Sequence, residues 1–432
     1  MALMSLSDPA KLHSPLDGWV TIKLGEHASF KTGPFGTALH QSDYENGGVP
    51  IINPTQIVKG KLLGTSSMAV SEKTAISLLA FRLSVGDIVI GRRGEMGRCA
   101  LVNAEHDGFI CGTDSMIIRV NSTLNASLLQ RLLSSTQVVS TLEKTSDGLT
   151  MSSLNQKTLK SLSLTIPASI IEQDAIADAL SDADAYIESL ERLLAKKRDI
   201  KQGVMLALLS GKTRLPSFDK KLGFRTVEHL MVPADWKVVE AGTIGRFRGG
   251  SGFPVSYQGL TGGKIPFFKV SDMNSEGNET LLKVANNYIS EISRKRLGAK
   301  SFPANTVAFA KVGAAVFLER KRLLGQESCL DNNMAGFTLF DDTIDYRFIY
   351  HALLLVRLGS LVATTALPSL NNSVLNAIKL SVPPTKIEQQ VISTILSDFD
   401  TELSELELKR DKAAAIKQGM MQELLTGRTR LL

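Results

Sequence analysis

The chain has 432 residues, of which 43% are hydrophobic and 21% are charged, and its formal net charge at pH 7 is +6. This length exceeds what one ordinary hydrophobic core needs, and the composition is that of a folded globular protein rather than a disordered or fibrous one. Three cysteines without paired spacing argue against a disulfide framework or a zinc site, so we expect core thiols.

The beginning of the chain has no basic segment followed by an apolar run, so no secretory signal is expected. The most apolar stretch, residues 348–367, is interrupted by His351 and Arg357 and is not expected to cross a bilayer. These two features predict a cytoplasmic protein without a membrane segment.

The first globular segment, residues 1–170, contains a glycine-rich loop with three arginines. Residues 86–91 have the apolar pattern of a strand, and the loop that follows carries Arg92, Arg93 and Arg98. Arginine can donate two hydrogen bonds to a guanine edge, and glycines let backbone amides approach phosphate. The loop is therefore a candidate DNA contact, with a solvated hairpin tip as the alternative. Lys31 and Phe35 are further candidates in this segment.

A long helix is predicted after this segment, because residues 171–209 contain no proline and only one glycine. Apolar residues recur at alternating steps of four and three, which is the spacing of a coiled-coil seam. The predicted seam residues are Ile176, Leu180, Ile187, Leu190 and Leu194. An amphipathic helix that covers its own domain is the alternative.

The second half of the chain repeats the first. Residues 387–431 align without a gap with residues 171–215, and 22 of the 45 pairs are identical. The same seam recurs at Ile392, Leu396, Phe399, Leu403 and Leu406. The repeat predicts two mixed α/β domains, residues 1–170 and 216–386, and two long antiparallel helices, residues 171–215 and 387–432, that form a coiled coil and act as spacers.

The second globular segment carries more positive charge than the first. Residues 216–386 contain 21 basic and 14 acidic side chains, against 15 and 13 in residues 1–170. This excess favours a polyanionic partner. The glycine-arginine loop is absent here, and its place is taken by residues 307–313, so individual contacts cannot be copied from the first domain. The candidate DNA contacts are Arg246, Arg248, Lys269, Lys311, Arg320, Lys321 and Arg322.

No catalytic or metal-binding pattern is evident in the sequence. Residues 210–213 end like a phosphate-binding loop but lack the required upstream glycine, so we interpret them as a helix terminus. Residues 53–56 lack the second proline and the aromatic residue that amino-methyltransferases use around a flipped base. We therefore expect no catalytic residues, no metal and no cofactor in this chain.

The repeated motifs resemble those of the specificity subunit of Type I restriction-modification enzymes. They are Ile-Glu-Gln at 171–173 and 387–389, Ile-Lys-Gln-Gly at 200–203 and 416–419, and Thr-Arg-Leu at 213–215 and 429–431. Gly-Pro-Phe-Gly at 33–36 and the arginine loop add to the resemblance, which covers nearly the whole chain. It implies two target-recognition domains, each reading half of a bipartite DNA site.

The resemblance also implies partners that perform the chemistry. Two modification (methyltransferase) subunits would use S-adenosylmethionine to methylate adenine, and restriction subunits would use ATP and Mg²⁺ for translocation and cleavage. One alternative is the separate specificity module of a split Type II-like methyltransferase-nuclease. Another is a coiled-coil scaffold that binds double-stranded DNA without sequence preference.

Overall fold

The computed structural model describes residues 17–35, 38–146, 153–228, 230–259, 261–362 and 368–431. The chain divides into two compact units, one made of residues 1–191 and 409–432 and the other of residues 192–408. Both units combine strands and helices, as the sequence predicted. Gly36, part of the Gly-Pro-Phe-Gly motif, lies outside the described residues.

The first unit contains two four-stranded sheets and two smaller strand pairs. One sheet has the order Ala28–Thr32, Ser115–Val120, Ile88–Gly91, Cys99–Leu101, and the other Ile110–Cys111, Val49–Ile52, Ala69–Val70, Tyr44–Glu45. The strand pairs are Trp19–Lys23 with Ser163–Pro167 and Ile57–Val58 with Lys61–Leu62. The α-helices before the long helix are Leu24–His27, Glu72–Ser77, Ala126–Leu133, Thr136–Ser146 and Gln156–Ser161. Short 3₁₀ helices cover Gln41–Asp43, Pro54–Gln56, Leu79–Phe81 and Ala104–His106.

The second unit has a similar arrangement, with a five-stranded sheet in place of one of the four-stranded sheets. Its five-stranded sheet has the order Gly245–Gly249, Met334–Leu339, Val307–Ala310, Lys321–Leu324, Leu281–Leu282, and its four-stranded sheet Tyr288–Ile289, Ile265–Phe268, Ser328–Leu330, Ser301–Phe302. The strand pairs are Lys237–Glu240 with Lys379–Val382 and Phe224–Val227 with Leu230–Pro233. The shorter α-helices are Ala241–Ile244, Glu291–Arg296, Tyr346–Leu355 and Asn372–Asn376. The 3₁₀ helices are Val255–Tyr257, Val270–Asn274, Ala314–Leu318 and Leu358–Leu361.

Two predictions about local structure are confirmed. The apolar pattern of residues 86–91 forms a buried strand, Ile88–Gly91. The three cysteines are free and buried in the cores.

Each copy of the conserved segment forms one long helix, as predicted. The first long helix spans Ile170–Leu209 and the second spans Lys386–Leu424. Each is followed by a glycine in the left-handed region, Gly211 with φ +68° and Gly427 with φ +71°, which is a common way to end a helix. Residues 210–213 are therefore a helix terminus rather than a phosphate-binding loop. In the part of the chain that the structure describes, no helix has an apolar stretch long enough to span a bilayer.

Within each unit the two long helices run antiparallel. In the second unit Lys197 pairs with Glu402 at 2.6 Å and Lys201 pairs with Asp400, so residue numbers rise along one helix as they fall along the other. In the first unit Lys417 pairs with Asp184. The pairs Lys201–Asp400 and Lys417–Asp184 are related by the repeat offset of 216 residues, so the duplication builds the same interhelical ion pair twice.

The predicted seam residues pack in two ways at once. Ile176 and Leu180 are buried in the core of the first domain together with Leu424 from the end of the second long helix. Ile392 and Leu396 are buried in the core of the second domain together with Leu208 and Leu209 from the end of the first. The start of each helix therefore covers its own domain and also contacts the other helix, so both alternatives considered for the seam are present. The remaining seam residues are buried (Leu190, Leu194, Leu406) or half-buried (Ile187, Phe399, Leu403).

The recurrence of the Ile-Glu-Gln and Thr-Arg-Leu motifs has a structural cause. Arg430 contacts the buried carboxylate of Glu172, with Nη2 2.7 Å from Oε2, and Arg214 contacts that of Glu388, with Nε 2.7 Å from Oε1. Arg214 also pairs with Asp235 at 2.9 Å. In both units the arginine that follows one long helix neutralises the glutamate in the first turn of the other.

The glutamine of the Ile-Glu-Gln motif has the same hydrogen bonds in both copies. The Nε2 atom of Gln173 donates to the carbonyl of Pro167 at 2.9 Å, and that of Gln389 donates to Pro383 at 3.1 Å. The Oε1 atoms accept from the backbone amides of Asn125 and Asp345, which cap the Ala126–Leu133 and Tyr346–Leu355 helices. Each glutamine therefore fixes the start of its long helix on the neighbouring domain.

We predict that Arg214→Met destabilises the chain, and more so at pH 8 than at pH 5. The substitution leaves Glu388 buried without its cation, and breaking a buried ion pair costs about 3–5 kcal/mol. Burial already raises the pKa of Glu388 against the opposing effect of Arg214, so the pKa rises further in the variant. A carboxyl group with a raised folded-state pKa stabilises the fold below its unfolded pKa and loses that contribution as the pH rises through the folded pKa.

Urea unfolding of both proteins at the two pH values measures the effect. The matched control is Arg430→Met, for which we expect a smaller loss because the Arg430 side chain is 32% exposed. An equal loss for Arg214→Met at pH 5 and pH 8 would contradict this account.

Candidate nucleic-acid interface

Three loops of the first domain meet where their backbones approach unusually closely. A Cβ atom on Gly33 would lie 1.8 Å from the carbonyl oxygen of Gly112, and a Cβ atom on Gly112 would lie 2.0 Å from Oδ1 of Asn53. These residues follow the strands Ala28–Thr32, Ile110–Cys111 and Val49–Ile52, so the glycines bring the ends of three strands together. We call this place the loop edge of the first domain.

Arg92 attaches the glycine-arginine loop to this edge. Its backbone N–H donates to the carbonyl of Asp114 at 2.8 Å, and its carbonyl accepts from the N–H of Leu154 at 2.8 Å. Its half-buried side chain donates from Nε to the carbonyl of Leu154 at 3.1 Å. The guanidinium group predicted to contact DNA thus has an internal partner that positions the loop.

The other two arginines of the loop differ in exposure. The Arg93 side chain is 60% exposed, and its nearest acidic partner, Asp114, is 3.5 Å away. Arg98 pairs with Glu95 at 2.6 Å and donates to the carbonyl of Pro54 at 3.3 Å. Arg93 is therefore the loop arginine whose charge is most available to a ligand.

Two further predicted residues of the first domain lie on or beside this edge. Phe35, two residues after Gly33, is 70% exposed. Lys31 is exposed on the strand Ala28–Thr32, with its ammonium 5.2 Å from the ring centre of Phe81. Lys31, Phe35 and Arg93 together give this part of the domain cationic and aromatic side chains.

The second domain has the same edge, and its backbone hydrogen bonds identify the equivalent positions. Lys311 donates its N–H to the carbonyl of Asn333 at 2.7 Å and accepts from the N–H of Leu370 at 3.0 Å. Arg92 makes the same two bonds with Asp114 and Leu154, so Lys311 is the structural counterpart of Arg92. Likewise, the N–H of Gly250 donates to Met334 at 2.9 Å as that of Gly33 donates to Ser115 at 3.0 Å.

Basic side chains gather around this turn in the second domain. The Nζ of Lys311 lies 3.3 Å from where a Cβ atom on Gly249 would be, and the Nζ of Lys300 donates to the carbonyl of Gly249 at 3.0 Å. Arg248 donates to the carbonyl of Ser301 at 2.9 Å and lies over the ring of Phe302, 4.7 Å from its centre. Lys300 is not among the residues predicted from the sequence, because only the fold brings this lysine from a distant segment to the turn.

The remaining predicted cations of the second domain fall into two groups. Arg246 is exposed on its strand, Arg320 is half-buried, and Lys269 donates from Nζ to Oε1 of Gln258 at 2.9 Å. Lys321 is buried, with Nζ 3.0 Å from Glu319, and Arg322 donates to the carbonyl of Asn278 at 2.8 Å. Burial lowers the pKa of both Lys321 and Arg322. Because these two side chains stabilise the fold internally, we leave them out of the proposed contact surface.

A cleft of about 1150 Å³ opens in the first unit beside Arg98. Five lysine or arginine and five carboxylate side chains line it, and several are paired, such as Arg131 with Asp184 at 2.8 Å and Lys61 with Glu188 at 2.5 Å. Because these charges cancel, the cleft offers an anion far less free positive charge than the loop edge does.

The thiols and potential metal ligands do not form a reactive site within the described ranges. Burial raises the pKa of Cys99 to about 12 and that of Cys329 to about 11, which keeps both thiols protonated at neutral pH. Among residues 17–431, outside the gaps in the description, no three His, Cys, Asp or Glu side chains are grouped as a metal site would require.

Comparison with known proteins identifies the family of the chain. The family described as Type I restriction modification DNA specificity domain matches twice, over residues 16–197 and 233–417. The chain belongs to this family.

Relatives and solved structures extend the match over nearly the whole chain. A protein of Methanocaldococcus jannaschii named for the specificity subunit of the type I restriction enzyme MjaX is 24% identical over 402 residues, covering 89% of this chain and 88% of the relative. The MjaVIII specificity subunit of the same organism is 24% identical over 211 residues, or 48% of this chain and 46% of the relative.

Two solved structures have the same fold. The type I restriction-modification S subunit from M. genitalium matches with a TM-score of 0.56 at 17% identity, over 97% of this chain and 98% of that one. A structure described as showing complex assembly and conformational transition of the type I system matches with a TM-score of 0.52 at 14% identity, over 96% and 99%. The predicted family and fold class are thus confirmed, and this specificity subunit contains two copies of the family's DNA specificity domain.

We predict that alanine at Arg92 destabilises the specificity subunit, whereas alanine at Arg93 leaves its stability almost unchanged. Arg92→Ala removes the charged hydrogen bond to Leu154 and should lower the free energy of unfolding by about 1.5–3 kcal/mol. Arg93→Ala removes only the exposed ion pair with Asp114 and should change the free energy of unfolding by no more than about 0.5 kcal/mol. Thermal and urea unfolding measure both. A destabilised Arg93→Ala protein would show that Arg93 also acts internally.

Proposed function

We propose that this chain is the non-catalytic DNA-recognition subunit of a type I restriction-modification complex. It would read a bipartite site in double-stranded DNA, one half with each domain, and direct adenine methylation and cleavage by its partner subunits. The observation that carries the proposal is the loop edge, which the same backbone frame builds twice with different side chains. S-adenosylmethionine, ATP and Mg²⁺ would be used by the partners.

The two loop edges support the reading of two different half-sites. At the position after the Ile88–Gly91 strand the first domain has Arg92 and the exposed Arg93, whereas at the equivalent position the second has Lys311. Backbone amides and cations can hold phosphates in both domains, which fixes the register of the protein on DNA. Base recognition depends on the side chains that differ, so the two domains would recognise different sequences.

The Ile-Lys-Gln-Gly motif occurs once in each long helix, which favours the binding of two copies of the same partner. A Cβ atom on Gly203 or Gly419 would meet nothing within 4 Å, although glycine inside a helix costs about 0.5–1 kcal/mol relative to alanine. Ile200 and Ile416 in the same motif are 40% and 53% exposed. Close approach by another protein would explain both features. We therefore infer that a modification subunit docks on each copy of this helix face.

The recognition proposal is tested by expressing the chain with a modification subunit of the same host and mapping the methylated adenines. We expect two half-sites separated by a fixed gap. Arg93→Ala should relax or weaken only one half-site and Lys311→Ala only the other, at a cost of about 1–3 kcal/mol for a base contact. A variant that lowers binding to all sequences alike instead identifies a phosphate contact.

The outcomes separate the alternatives. Methylation that requires the chain but occurs at a single uninterrupted site would refute bipartite reading. Binding without sequence preference would support the scaffold alternative, and turnover by the purified chain alone would refute a non-catalytic role. The spacer role of the helical segments and their boundaries stay predictions that the methylated gap in length variants can test.

We predict that Gly203→Ala raises the stability of the chain while weakening partner binding. Alanine should add about 0.5–1 kcal/mol to the free energy of unfolding, because it restricts the unfolded chain and meets no neighbour in the fold. The new methyl group should hinder the docking of one modification subunit, which analytical ultracentrifugation would register as a lower stoichiometry. Gly419→Ala is the matched variant for the second subunit. Full binding by the double variant would place the docking surface elsewhere.

A further inference from the structure

The loop of residues 312–320 in the second domain occupies the place of the glycine-arginine loop in the first. It begins after Lys311, the counterpart of Arg92, and ends at the strand Lys321–Leu324. That strand pairs antiparallel with Val307–Ala310, as Cys99–Leu101 pairs with Ile88–Gly91. Each loop fixes itself to its domain with one buried apolar side chain, Val316 here and Met96 in the first domain.

The tip of this loop presents apolar side chains rather than arginines. Phe317 and Leu318 are each 56% exposed. A Cβ atom on Gly359 would lie 2.9 Å from Cδ1 of Phe317, so the ring rests against a glycine backbone and keeps its other side in solvent. The exposed aromatic and aliphatic groups thus belong to the loop that corresponds to the one in which the first domain presents Arg93.

Glu319, which follows the tip directly, holds it in place and has a strained backbone. Glu319 has a left-handed backbone with φ +54°, a conformation that is costly for a residue with a Cβ atom. Its carboxylate accepts hydrogen bonds from the N–H groups of Leu358 at 2.9 Å and Gly359 at 2.8 Å, and pairs with Lys321 at 3.0 Å. The structure therefore holds two large apolar side chains at the surface in a fixed arrangement, which hydrophobic burial alone would oppose.

We propose that Phe317 and Leu318 read thymine methyl groups in the major groove of the half-site bound by the second domain. This inference rests on the proposed function, because it assigns one specificity contact within it. Guanine and adenine edges require hydrogen-bonding side chains, which phenylalanine and leucine lack, whereas the 5-methyl group of thymine is the apolar feature of the major groove. The equivalent loops would then read by different chemistry, guanidinium donors in one domain and apolar contact in the other.

The test uses the full complex with its modification subunits on duplexes that carry the mapped site. Each thymine of the second half-site, except the partner of the methylated adenine, is replaced singly by uracil, which removes only the methyl group. We expect the wild-type complex to lose about three- to five-fold in affinity at one or two thymines, the factor for burying one methyl group. Phe317→Ala or Leu318→Ala should bind the thymine duplex more weakly and show no further loss with uracil at the same thymine.

Two controls accompany these variants. Ile292→Ala removes another exposed apolar side chain of the second domain, 73% exposed, and should leave the response to uracil unchanged. Uracil in the half-site of the first domain should affect wild type and Phe317→Ala equally. Leu318→Ala provides an independent reading if Phe317→Ala unfolds in a thermal melt.

Three outcomes would overturn the inference. A wild-type complex that is insensitive to uracil throughout the second half-site has no methyl contact. Uracil sensitivity that persists unchanged in both variants assigns that contact to other residues. A loss of affinity in Phe317→Ala that is equal for all DNA sequences indicates that the side chain inserts between base pairs or makes a contact that does not depend on sequence. Failure of the proposed function is distinct, because the wild-type complex would then methylate no bipartite site.

Discussion

The ion pairs Glu172–Arg430 and Glu388–Arg214 are the interactions on which the arrangement of each unit depends. Both glutamates are buried at the start of a long helix, so each needs a counter-charge, and in both cases the arginine comes from beyond the end of the other long helix. A buried carboxylate without its partner would be strongly destabilising. This requirement fixes where each helix begins, which residues follow the other helix, and hence the antiparallel direction within each unit.

The duplicated domains show how one frame can serve two different surfaces. The close approaches at Gly33 and Gly250 are possible because glycine has no Cβ atom, which would collide with a backbone carbonyl oxygen in either case. Some side chains of the loops that leave this frame hold the loop in place, such as Met96 and Val316, whereas others, such as Arg93 and Phe317, are exposed and can differ without affecting the strands. The loops of residues 92–98 and 311–320 differ between the two domains, and the proposed base contacts lie in them.

Basic residues in this protein act in two distinct ways, and burial decides between them. Arg92, Lys321 and Arg322 have internal acceptors and hold loops and strands in place, whereas Arg93 and Arg246 project their charge outward. The side chains whose positive charge is available to bind a polyanion are therefore fewer than the number of Lys and Arg residues suggests. Lys300, contributed by a separate segment, adds to the cluster around Gly249.

The sequence by itself determined the family, the internal repeat, the two long helices and the buried strand before the glycine-arginine loop. Those features follow from local periodicity, helix-ending glycines and identity at a fixed offset, which do not depend on distant contacts. Only the tertiary structure decided which arginines are internal, that Lys311 takes the place of Arg92, that Lys300 lies beside Gly249, and that Phe317 is exposed. These assignments depend on which segments lie next to each other in the fold and on whether a charged group has a hydrogen-bond acceptor there. Both are determined by pairing between strands that are distant in the sequence, which local sequence patterns do not reveal.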